Sequence, residues 1–99
     1  MGAEFDYRVY DGEDLKKIKR EWKQDCADDR QENGWSYSGT IGMFDHAPRW
    51  IGQGDFKFSC VENAVEYMEE THDKWRSPLA VRFGTKNTVG YVIGGWCPC

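Results

Sequence analysis

From Glu4 to Tyr10 apolar and polar residues alternate, with Phe5, Tyr7 and Val9 on one side and Glu4, Asp6, Arg8 and Tyr10 on the other. A period of two marks a half-buried strand. Asp11-Gly12 breaks the alternation. Leu15, Ile18, Trp22 and Cys26 then recur at helical spacing, so one stripe of a helix faces a core. Asp11 at the cap, with Asp14 three residues on, forms an N-cap arrangement, and Asn33-Gly34 supplies the stop, because glycine tolerates the left-handed conformation at a helix end.

Alternation returns from Trp35 to Phe44, with Trp35, Tyr37, Ile41 and Met43 sharing one face, which predicts a second strand. Gly39 and Gly42 inside it signal a bulge or a close backbone approach. A turn-rich stretch follows, through Asp45-His46-Ala47-Pro48 and Gly52-Gln53-Gly54-Asp55, before a short third strand around Phe56 and Phe58. Ser59 and Glu62 have the spacing of a capping box, which opens a second helix with the stripe Val61, Ala64, Val65, Met68, His72 and Trp75. Ser77-Pro78 ends it. Leu79, Val81 and Phe83 form a fourth strand, Thr85-Lys86-Asn87 turns, and Val89, Tyr91 and Ile93 form a fifth that closes a hairpin.

The predicted order is β-α-β-β-α-β-β over a single domain, residues 1–99. It reads as an α+β, two-layer, ferredoxin-like sandwich with both helices on one face of a mainly antiparallel sheet. The covered face takes Phe5, Tyr7, Trp22, Ile41, Met68, Trp75, Phe83 and Ile93. The other face is expected to be bare.

Composition changes this picture in two ways. Charged residues make up 30% of the chain and mean hydropathy is −0.79, yet five Trp, five Tyr and five Phe against two leucines imply an aromatic-rich core. The formal charge of −4 and pI near 5.1 argue against a protein built to grip phosphates. No run approaches the ~18 apolar residues of a membrane span, and no apolar leader opens the chain, so a reducing cytoplasm is expected.

Candidate chemistry is sparse. Cys26, Cys60, Cys97 and Cys99 lack the knuckle spacing of a structural zinc site, and the two histidines are not tied to a nucleophile. Reduced thiols and no cofactor are expected, with a small hydrolase or metal-dependent enzyme around His46 or the cysteines as an alternative. Gly34-Trp35-Ser36-Tyr37-Ser38-Gly39 misses the nucleophile-elbow pattern, since Ser38 stands where its second glycine belongs.

Surfaces say more. The first helix carries Lys16, Lys17, Lys19, Arg20 and Lys23 in its first half and Asp25, Asp28, Asp29 and Glu32 in its second, against the helix macrodipole. Separate basic and acidic patches suit a partner of complementary pattern. The bare sheet face is expected to display Arg8, Tyr10, Phe44, Arg82, Val92 and Trp96, extended by a loop with His46, Arg49 and Trp50. Aromatic residues and arginines dominate protein-interface hot spots. A protein partner, or a homodimer through the open face, is favoured over a single-stranded nucleic acid stacked on the same platform.

The opening Met1-Gly2-Ala3, then Glu32-Asn33-Gly34, Tyr37-Ser38-Gly39, Gly42-Met43 and Gly94-Gly95-Trp96-Cys97, resemble small phage and prophage reading frames. The resemblance implies a compact, acidic binder in the cytoplasm of a bacterial host. Such a protein inhibits a host enzyme or defence protein by occupying its surface, or mimics a phosphate backbone with carboxylates such as Glu62, Glu66, Glu69 and Asp73.

Overall fold

The computed structural model describes residues 2–34, 38–44, 46–51, 58–72, 76–85 and 87–98. Among them run strand β1 (Ala3–Asp11), helix α1 (Leu15–Asn33), strand β2 (Arg49–Ile51), helix α2 (Val61–Thr71), and strands β3 (Leu79–Gly84) and β4 (Val89–Pro98). A 3-10 turn, Ile41–Met43, lies between α1 and β2. The fold is α+β: two helices and one four-stranded mixed sheet among the described residues. Among the described residues no helix is long and apolar enough to cross a membrane.

The best-predicted elements are those with strong local signals. The cap of α1 is Asp14, which accepts the Lys17 amide at 3.2 Å, and not Asp11, which is the last residue of β1; Gly34 ends the helix at φ +84°, its N–H returning to Arg30 O at 2.9 Å. The predicted hairpin is present as the antiparallel pair β3 and β4. Helix α2 begins one residue later than the capping box requires: Cys60 occupies the cap and makes no side-chain cap bond. It ends at Thr71, with His72 as C-cap, and Trp75 lies outside the described residues.

The predicted second strand is not formed where the structure describes it. Gly39 turns the chain at φ +71°, and side-chain carboxylates take the amides a ladder would need. Asp6 Oδ2 accepts the Ile41 N–H at 2.8 Å and Asp29 Oδ2 accepts that of Gly42 at 2.9 Å. The segment curls into the 3-10 turn instead; Trp35, Ser36 and Tyr37 lie outside the described residues. The third strand falls on Arg49–Ile51, parallel to β3, and not on Phe58, which gives only its carbonyl to Gly84 N; Phe56 is outside the described residues.

Strand order is β1-β4-β3-β2, which differs from the ferredoxin-like expectation: β1 is an edge strand, with β4 and β3 between it and β2. The order also fixes the layering. The β1-to-β2 crossover travels across the sheet in one direction and the β2-to-β3 crossover returns in the other. Right-handed connections then place their helices on opposite faces. The pleat agrees. Tyr10, Ala80, Tyr91, Ile93 and Cys97 pack with Ile18, Trp22 and Cys26 of α1, and with Ile41 and Phe44. Leu79, Val81, Phe83 and Val92 pack with Ala64 and Met68 of α2, flanked by Phe5, Ile51 and Phe58. The expected bare face therefore does not exist, because each face carries one helix, and β3 is buried along its whole length.

Candidate functional site

Helix α1 turns about 100° per residue, and that rotation sorts its charges across its width as well as along its length. Lys16, Lys19, Lys23 and Arg30 fall on one flank of the Ile18-Trp22-Cys26 stripe, and Glu21, Asp25, Asp28 and Glu32 on the other. Contacts fix which flank points where. Lys19 Nζ stands 5.4 Å from the centre of the Trp50 ring in β2, a cation–π approach, whereas Asp25 accepts the Tyr10 hydroxyl of β1 at 2.5 Å.

The basic flank faces a groove of about 1030 Å³ between α1 and the 44–50 segment. Its apolar side is Trp22, Phe44 and Trp50, and its rim is Lys19, Arg20, Lys23, Arg30 and His46. Arg30 holds the far wall in place by donating from Nε to Gly42 O at 2.9 Å and from Nη2 to Phe44 O at 2.8 Å. The buried Asp29 adds to this by accepting from Gly42 N and from the Thr40 hydroxyl. The ring of Phe44 stacks at 6.1 Å from that of Trp22, and Trp50 meets Tyr91 edge-on at 5.2 Å. Both walls are thus anchored to the core.

The groove offers charge and aromatic surface. Its one thiol, Cys26, is pushed up to about 12, chiefly by burial and against the pull of Arg30. A thiol so protonated is no nucleophile near neutral pH. Cys97 is raised to about 12 by burial as well. No group of three or more His, Cys, Asp or Glu side chains among the described residues is placed to hold a metal ion.

Of the residues expected on one surface, Phe44, His46 and Trp50 meet at this groove. Arg49 lies across the Ala47-Pro48 segment, in a smaller recess of about 500 Å³ shared with Arg76 and His72. The others are dispersed, because the pleat sets Arg8, Tyr10 and Arg82 on the α1 face of the sheet and Val92 and Trp96 on the α2 face. Tyr10 is buried beneath α1, its hydroxyl pushed well above its ordinary value by burial and then by the bond to Asp25. Arg8 reaches Asp6 at 3.0 Å and Asp29 at 3.9 Å. Arg82 is buried and paired with Glu13. Val92 is buried on the α2 side, where Trp96 gives its indole N–H to Glu69 O at 2.9 Å and packs edge-on against Phe5. Tyr10 and Trp96 stand on opposite faces of the sheet, the first buried and the second half-buried, so the two do not form one platform.

What sequence reasoning missed is the partnership between the helix cations and the loop aromatics. The sequence sorts the charges of α1 along its length, Lys19 and Lys23 in the basic first half, and nothing local says that these cations share a flank with Arg30 or that Trp50 meets it. Comparison with family models, with curated proteins and with solved structures gives no match.

Proposed function

We propose that the chain is a non-enzymatic protein-binding domain that takes an acidic segment of its partner into the groove between α1 and the 44–50 segment. The observation that carries this reading is the Lys19, Lys23 and Arg30 flank set directly beside Trp22, Phe44 and Trp50. Cations beside a partly desolvated aromatic wall suit carboxylates flanking an apolar anchor: the anchor supplies affinity, and the charges supply orientation and association rate. In its concrete form the reading is a phage or mobile-element protein that occupies the surface of a host defence protein in the bacterial cytoplasm. The resemblance to phage reading frames supports that form.

The test uses fluorescence anisotropy with a labelled peptide of glutamates around one tryptophan, and a labelled oligothymidylate for comparison. Saturable peptide binding that weakens as salt rises, and is lost in Lys19→Glu/Lys23→Glu, is the expected result. Tighter binding of the oligonucleotide, or no peptide binding at low salt, overturns the reading.

A further inference from the structure

We infer that the outer edge of β1 is a second docking site, one that adds to the sheet an extended segment alternating apolar residues with lysine or arginine. This surface is separate from the groove and does not depend on it.

The backbone supplies the first part of the argument. Gly12 donates its N–H to Val89 O at 2.8 Å in the β1–β4 ladder, so even-numbered positions of β1 face β4. By the alternation of an antiparallel pair, the N–H and C=O groups of Phe5, Tyr7 and Val9 point the other way. Among the described residues no strand pairs with that edge. Arg8 Nη1 donates to the Tyr7 carbonyl at 2.8 Å and has to release it when a strand docks.

The side chains define what such a strand looks like. On the α2 side of β1 stand Phe5, Tyr7 and Val9, and because α2 packs over β3 and β4, Tyr7 and Val9 keep 36% and 43% exposure. On the α1 side, the acidic flank of Glu21, Asp25, Asp28 and Glu32 runs along the β1 side of the sheet, anchored where Tyr10 bonds Asp25. On that same side of β1, Arg8 is tied to Asp6 at 3.0 Å and lies 3.9 Å from Asp29, beside Glu4, so an incoming strand meets apolar neighbours on one face and an excess of carboxylates over one paired arginine on the other. With a period of two, that environment selects alternating apolar and cationic residues. A second copy fits worse. A dyad at Tyr7 would match Phe5 with Val9 but bring two acidic flanks together, and like charges so juxtaposed disfavour the pairing.

The experiment is amide exchange followed by NMR, on the full chain, with a labelled Lys-Val-Lys-Val-Lys-Val-Lys peptide as probe. The peptide is expected to slow exchange at Phe5, Tyr7 and Val9. Its affinity should fall by about tenfold or more in Glu21→Lys/Glu32→Lys, whose positions are exposed on α1. Val9→Pro removes one outward N–H while leaving the β4 ladder intact, and should also weaken binding. Lys19→Glu/Lys23→Glu should leave it unchanged, which separates this site from the groove. Protection at Lys19 and Trp50 instead, or no change along β1, overturns the proposal. So does concentration-dependent protection of β1 in the free protein, which would identify a second copy as the occupant.

Discussion

His72 Nδ1 accepts the Trp96 amide at 2.9 Å, at the point along β4 where its neighbouring strand has run out. Pairing between β3 and β4 stops at Leu79 and Gly94, and the next β4 amide directed to that side belongs to Trp96. The imidazole takes the place of a strand there. Since Nδ1 accepts, the ring hydrogen is on Nε2, which donates to Ser77 O at 3.0 Å. Phe44 meets the ring edge-on at 5.9 Å, so this histidine links the end of α2 to the groove wall on the other face of the sheet.

His72→Ala is therefore expected to cost about 2–4 kcal/mol of stability, combining a cavity with a Trp96 amide left without its acceptor. His72→Phe keeps the ring volume and should lose only the hydrogen-bond share, about 1–3 kcal/mol. Urea denaturation of the two variants separates these contributions. Gly95→Ala should behave like a damaged His72, because a Cβ at Gly95 would lie 2.6 Å from the imidazole.

Asp29 carries the 40–42 segment. It accepts from Gly42 N and Thr40 Oγ1 on one oxygen and from Asn33 Nδ2 at 3.1 Å on the other. Asp29→Ala leaves the Gly42 amide without its acceptor and should cost about 2–4 kcal/mol by denaturation. Binding of the acidic peptide at the groove should fall with it, even at temperatures where the variant is fully folded. Unchanged peptide affinity would show that the groove wall does not depend on this carboxylate.

Burial of Cys26 and Cys97 sets an alkaline limit to stability. Both thiols are raised from the ordinary value of 9.0 to about 12 in the folded chain, with burial the largest cause. Above about pH 9 the unfolded chain loses these protons while the folded chain keeps them, so stability is fully present below that pH and falls as pH rises toward 12. Tyr10, shifted in the same direction, steepens the loss. Denaturation midpoints from pH 8 to 11 should decline, and a Cys26→Ala/Cys97→Ala double variant should decline less. In the folded protein at pH 8, a maleimide should modify the half-buried Cys60 well before Cys26 or Cys97.

Glu13, in the β1–α1 connection, pairs with the buried guanidinium of Arg82. Removing one partner of a buried ion is usually severe, but Glu13 is 58% exposed and solvent screens the pair. Glu13→Ala is expected to cost about 1–2 kcal/mol, and Glu13→Gln less, by urea titration. A neutral result for both would place the neutralisation of Arg82 elsewhere.

Local signals in the chain were enough for much of the framework. The α1 stripe with its glycine stop, the presence of β1 and the β3–β4 hairpin were legible because each depends on residues a few positions apart. The inner side of β1 was not: Tyr7 and Val9, read as core-facing, keep 36% and 43% exposure because α2 packs over β3 and β4, whereas Tyr10, read as outward, is buried beneath α1. The 35–44 alternation misled for a related reason. Ile41 and Met43 carry the period of a strand, but carboxylates of Asp6 and Asp29, distant in sequence, captured the backbone amides between Thr40 and Phe44. Helix propensity and pattern contain no information about such partners. Of the candidate site, the helix cations and the aromatic residues of the 44–50 segment were each visible as composition, and their meeting was not.

By itself the sequence determined an α+β domain with an aromatic-rich core, the apolar stripe of α1 and the opposed charges of that helix, since side-chain periodicity and local capping act within single elements. Only the tertiary structure decided which face each stripe covers. Because β2 lies at the far edge from β1 and the chain then returns to β3, the right-handed crossovers set α1 and α2 on opposite faces. That geometry buried Tyr10 and Arg82, closed the expected sheet face, and turned the basic flank of α1 to Trp50 and its acidic flank to the edge of β1.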